Sequence, residues 1–108
     1  MNIQLAKSIN NYFAIGNGTG SVRVQDCFTP EAVVLDEGGT YQGQPAIESW
    51  LQKTRQKYQF SAKPISVTSK EQQEIVVAEV SGNFPGSPIQ LSYVFVLNGD
   101  KIQSLEIS

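Results

Sequence analysis

Apolar residues recur along this chain at two different periods. Leu5, Ile9, Tyr12 and Phe13 fall at i, i+4, i+7 and i+8, one face of a helix. Gly16, Gly18 and Gly20 break that helix; Ser21 is a candidate cap for a short second helix that ends near Phe28, and Val22-Arg23-Val24 reads equally well as extended. Thr29-Pro30 reads as a turn, Ala32 to Asp36 as a strand, and Glu37-Gly38-Gly39 as a flexible loop. Pro45 fits the first turn of a third helix, whose inward stripe is Ile47, Trp50, Leu51, Thr54 and Tyr58. From Ala62 onward the period falls to two. Strands are predicted over Ala62 to Thr68, Ile75 to Phe84, Ile89 to Leu97 and Ile102 to Ile107. Pro85-Gly86-Ser87-Pro88 joins the middle pair, and Asn98-Gly99-Asp100 is a tight-turn signal before the last strand.

Three helices in the first half and a run of antiparallel strands in the second define an α+β domain. The expected architecture is a cone: a curved, mixed or antiparallel sheet with the helices packed on its concave face. Between helices and sheet such a cone leaves room for a small-molecule pocket. Strand parity groups the side chains that would face it. Val76, Ala78 and Val80 share one face of their strand, and Leu91, Tyr93 and Phe95 share one face of the next. With Phe13, Phe28, Trp50, Leu105 and Ile107 they are the candidate substrate-binding wall. Their alternative role is plain core. Glu79 and Glu106 alternate to the opposite, outer face.

Composition removes much chemistry. The 108 residues include no histidine and a single cysteine, Cys27. Ser-His-Asp and Cys-His machinery, His-ligated zinc and an intrachain disulfide are thereby excluded. The formal net charge is −2, and the eight Lys and Arg form no basic run, so a nucleic-acid partner is not expected. The glycines at 16, 18 and 20 lack the Lys-Ser/Thr pair of a phosphate loop, and the acids are not spaced as a calcium loop. No metal and no cofactor is expected. Residues 1–108 read as one domain, without a membrane partner, of cytoplasmic location.

Four segments carry a resemblance. Tyr12 before Asn17-Gly18, Phe28 before Ala32-Val33-Val34-Leu35-Asp36, Gly43 with Ile47 and Trp50, and Phe95 before Asn98-Gly99 resemble the SnoaL-like family. That family belongs to the nuclear-transport-factor-2-like superfamily, with ketosteroid isomerases and polyketide cyclases. The resemblance covers essentially the whole chain, and one such scaffold hosts many activities. It implies a homodimer formed through the convex sheet face. It also implies the acid–base logic of ketosteroid isomerase, a worked case of tuned carboxyl groups; that logic comes with the resemblance and not from residue spacing. By the isomerase pattern, Asp36 matches the proton-shuttling aspartate and Tyr12 the helix tyrosine that donates to the substrate oxygen. Tyr93 stands where the pattern has a protonated aspartic acid, and Leu51 near the place of a supporting tyrosine.

The implied function is a cofactor-independent isomerase or cyclase acting on a small apolar molecule. Asp36 would be the base, and Tyr12 and Tyr93 would stabilise negative charge on an oxygen. The alternative is a non-catalytic ligand-binding or dimerisation module of the same fold. For Asp36 itself the alternative is a strand-end residue that binds loop N–H groups. Cys27 reads as an inert buried thiol.

Overall fold

The computed structural model describes residues 5–17, 23–57 and 60–108. Ser21, Gly18, Gly20 and Tyr58, each given a place above, lie outside the described residues. Helix α1 spans Lys7–Gly16, α2 Val24–Cys27 and α3 Gln44–Lys57. The strands are β1 (Phe28–Asp36), β2 (Gly39–Gln42), β3 (Phe60–Lys70), β4 (Gln73–Gly82), β5 (Ile89–Asn98) and β6 (Lys101–Ile107). They form one curved, unclosed sheet in the order β2-β1-β6-β5-β4-β3. All neighbours are antiparallel except β1 and β6, whose pairing is parallel. The fold is therefore the mixed α+β cone that the alternating second half implied.

Two local expectations are corrected. Thr29-Pro30 is no turn, because both residues lie within β1. A strand tolerates proline where its N–H has no ladder partner. Here the β1–β6 register is broken between Phe28 and Val33, and β2 pairs only with Val33 to Asp36. The Glu37-Gly38-Gly39 loop is also shorter than expected. Glu37 and Gly38 alone make the turn, with φ of 51° and 79°. Two positive φ values match the twist of a two-residue hairpin. Gly39 is already the first residue of β2 and pairs with Asp36. Strand β2, Gly-Thr-Tyr-Gln, has no apolar alternation to announce it.

The core lies between the helices and the inner sheet face. Ile9, Phe28, Val34, Ile47, Val76, Ala78, Phe95 and Ile102 are wholly buried. The end of α1 is tied to the edge strand by Asn17. Its Nδ2 donates to the Ala62 carbonyl at 3.1 Å, and its Oδ1 accepts from the Ala62 N–H at 2.8 Å. One side-chain amide thus acts as a short length of neighbouring strand. Gln44 Nε2 similarly donates to the Phe28 carbonyl at 3.0 Å, fixing the start of α3 over β1. These anchors set the two helices whose side chains face the cavity.

Candidate active site

A cavity of about 380 Å³ opens between α1, α3 and the inner sheet face. Asp36 reaches it because β1 alternates. Ala32 and Val34 point inward and are buried, and Asp36 follows on the same face at the strand end, half-buried. Tyr12 comes from the inward stripe of α1 and Tyr93 from the inner face of β5. The three groups line this one cavity.

Asp36 is not free within it. Trp50 Nε1, from α3, donates to Asp36 Oδ2 at 3.1 Å. Burial pushes the Asp36 carboxyl above its usual range; the Trp50 bond pulls it down, the Glu37 charge raises it, and the Glu37 backbone N–H lowers it. The net direction is upward, which makes a stronger base than a solvated aspartate. The phenols respond to the same surroundings. Burial, then the neighbouring Tyr93 and Asp36, raises Tyr12 well above its ordinary value. Burial, then Asp36, pushes Tyr93 up to about 12. Both therefore remain protonated donors across the neutral range. No described residue makes a hydrogen bond to either hydroxyl, and Ser8 Oγ is the sole described side-chain polar atom both sealed and unpartnered.

Of the wall residues read from the sequence, Trp50, Val80, Leu91 and Ile107 line the cavity. Phe13, Phe28, Val76, Ala78, Phe95 and Leu105 do not; each is buried in the packed core. They lie on the expected inner face but deeper, where aromatic rings interlock edge to face. Tyr12 meets Phe28 at 6.1 Å and Phe95 at 5.6 Å, and Phe13 meets Tyr93 at 5.1 Å between centroids. Parity fixes a face, but position along the cone decides between core and wall.

Other lining residues were not anticipated as site residues. Thr54 and Leu51 belong to the inward stripe of α3, so a signal for them existed. Ile89 stands opposite Val80 in the ladder, and continuing the parity of Leu91 and Tyr93 would have reached it. Phe84 and Pro85 lie in the β4–β5 connection, and Phe60 opens β3. No periodicity governs those three. Glu37 lines the cavity beside Asp36, and no Lys or Arg is among the described lining residues.

A second cavity of about 360 Å³ shares Asp36, Glu37, Trp50 and Thr54 with the first. The Trp50–Asp36 pair thus lines both cavities, and Tyr41 lines only the second. Among the described residues no group of three or more His, Cys, Asp or Glu side chains is placed to hold a metal ion. No described helix is long and apolar enough to cross a membrane.

Solved structures similar to this chain share the arrangement of helices and sheet. A candidate polyketide cyclase from Sinorhizobium meliloti is 36% identical, over 96% of this chain and 95% of that one, with a TM-score of 0.90. A ketosteroid isomerase-like fold from Catenulispora acidiphila, solved in complex with trimethylamine, is 15% identical over 97% of this chain and 86% of that one, with a TM-score of 0.80. A candidate isomerase of the SnoaL-like family from Agrobacterium tumefaciens is 14% identical over 93% and 92%, with a TM-score of 0.75. The latter two speak for the fold alone. No family model and no curated protein matches the chain. The chain belongs to the family of the Sinorhizobium candidate polyketide cyclase, and its fold is the one shared by SnoaL-like, ketosteroid isomerase-like and nuclear-transport-factor-2-like proteins.

Proposed function

We propose that the protein is a cofactor-independent isomerase or cyclase that moves a proton next to a carbonyl in a small, uncharged, largely apolar substrate. The observation that carries this reading is the meeting of Asp36, Tyr12 and Tyr93, from three separate elements, in one cavity. The Asp36 carboxylate takes a proton from the carbon beside the carbonyl, and the C–H electron pair moves to form the enolate. Negative charge gathers on the oxygen, where the Tyr12 and Tyr93 hydroxyls donate to it. The protonated Asp36 then returns the proton to another carbon, which is isomerisation. Alternatively, the enolate carbon attacks a second carbonyl of the same molecule and Asp36 protonates the new alkoxide, which is cyclisation. The Asp36 and Glu37 carboxylates, with no Lys or Arg among the described lining residues, disfavour an anionic substrate.

The same reading extends to assembly as a homodimer through the outer sheet face. An antiparallel sheet facing water normally alternates apolar and polar. Here the outward positions of the central strands include Ile75, Val77, Val94 and Val96, all half-buried, and Leu35 on β1 is 40% exposed. A second copy would cover this apolar band.

Proton abstraction can be tested without the natural substrate. In D2O, NMR follows loss of the α-protons of 2-tetralone, an uncharged bicyclic ketone small enough for the cavity. Catalysed exchange is expected, with a fall of about 10²- to 10⁴-fold in Asp36→Asn. Equal exchange in that variant rejects Asp36 as the base. Binding of the ketone with no exchange above buffer leaves a ligand-binding module.

A further inference from the structure

Tyr41 does not line the substrate cavity, yet its ring backs the residue that binds Asp36. The Tyr41 and Trp50 rings are stacked, with centroids 5.8 Å apart and an interplanar angle of 29°. Trp50 in turn donates its indole N–H to Asp36 Oδ2 at 3.1 Å. The β1–β2 register explains how the tyrosine gets there. Tyr41 stands opposite Val34 and Gly39 opposite Asp36, so all four positions share one face. A Cβ at Gly39 would lie 2.8 Å from Tyr41 Oη and 3.0 Å from its Cζ. The phenol therefore lies across the bare backbone of Gly39, in space that any side chain would take. Gly39 has no positive φ, so its want of a side chain answers to this contact and not to backbone conformation.

We propose that Tyr41, seated over Gly39, is a positioning residue that holds the Trp50 indole in hydrogen-bonding register with Asp36. Stacking fixes the plane of the indole, and the plane fixes where its N–H points. A hydrogen bond to a charged acceptor weakens steeply with misalignment, so rotation of an unbacked indole would loosen it. The hairpin Asp36–Tyr41 thus carries both the carboxylate and the support for its partner. This proposal rests on the reading of Asp36 as the base, but the coupling itself is measured without turnover.

The experiment is NMR titration of the side-chain carboxyl carbon of Asp36, assigned by its loss in Asp36→Asn, together with the Trp50 indole N–H resonance. Trp50→Phe keeps an aromatic ring and removes the donor, and is expected to raise the Asp36 pKa by about one unit. Tyr41→Leu and Gly39→Ala are each expected to reproduce part of that rise and to move the indole N–H resonance. Tyr41→Phe, which keeps the ring, is expected to leave both unchanged. In a Tyr41→Leu background, Gly39→Ala should add nothing, because the ring it displaces is gone. An unchanged titration in Trp50→Phe or in Gly39→Ala overturns the proposal, and so does a Gly39→Ala shift that persists without the tyrosine ring. Gly39→Ala is the mildest change and decides the matter if Tyr41→Leu does not fold. Retained α-proton exchange in Asp36→Asn would reject the base but leave this titration decisive.

Discussion

The rings of Tyr12 and Tyr93 stand 6.2 Å apart between centroids, tilted at 58°, one from the first helix and the other from the fifth strand. Their separation is set by packing on both sides. Phe13 and Phe95 each pack against both rings. In the proposed mechanism, two donors held by this aromatic cluster would need little reorganisation when charge develops between them, which is how prearranged dipoles accelerate a reaction.

Removing one of these donors should therefore cost rate and spare the fold. Tyr12→Phe and Tyr93→Phe are each expected to slow α-proton exchange in 2-tetralone by about 10²-fold, at the lower end for a single oxyanion donor. Each ring, and with it the aromatic packing, is kept, so circular dichroism and melting temperature should change little. Undiminished exchange in both variants would remove the tyrosines from the mechanism.

The pH dependence has a definite sign. With Asp36 as the proposed base, exchange would need its ionised carboxylate, so the rate should climb as pH rises through an Asp36 pKa that burial holds above the ordinary range. It should then stay level until the phenols ionise, with Tyr93 pushed to about 12. Stability runs the opposite way. A raised folded-state pKa means that the folded chain holds the Asp36 proton more tightly than the unfolded one. That contribution is full below the ordinary carboxylate pKa and is lost as pH rises through the raised value. Asp36→Asn should accordingly melt higher than the native protein at pH 7, with the gap closing at pH 3. A melting gap between variant and native protein that widens in acid would contradict the raised pKa.

Core and wall should separate in denaturant. Phe95 is wholly buried and outside the cavity lining, so Phe95→Ala is expected to lose about 3–5 kcal/mol in urea unfolding. Ile89 lines the cavity and is 38% exposed. Ile89→Ala should cost about 1 kcal/mol or less and act mainly on ketone binding. Equal losses at the two positions would mean that the cavity is filled in solution.

Cys27 should be chemically quiet. Burial, reinforced by Asp26 and opposed by Lys101, pushes its thiol up to about 11. Thiolate is the reactive form, so Ellman's reagent at pH 8 should leave native protein untouched and react fully in guanidinium. Rapid reaction of the native protein would show that the thiol is reachable and acidic.

The amide clamp from Asn17 offers a fifth check. Asn17→Ala leaves the part-buried Ala62 N–H and carbonyl without their partner. The expected loss is about 1–3 kcal/mol, read by urea unfolding. Amide exchange at Ala62 should rise with it, and an unprotected Ala62 in the native protein would refute the clamp.

Much of this molecule follows from the order of its residues. A helical period in the first half and a period of two in the second dictate three helices and the long strands. Alternation sends Val34, Val76, Ala78, Tyr93 and Phe95 to one face whatever the final shape, since successive Cβ atoms must point oppositely. Asp36 lies two residues beyond Val34 and goes inward by the same rule. Tertiary structure decided the rest. Strand β2 is polar and exists because the Glu37-Gly38 turn brings it beside β1. Depth along the cone made Phe95 core and Ile89 wall, although both obey one parity. The Trp50 bond to Asp36 and the Tyr41 ring behind it depend on where a helix settles over a hairpin. Period reports the direction of a side chain from its own backbone; which partner waits at its tip depends on elements distant in the chain.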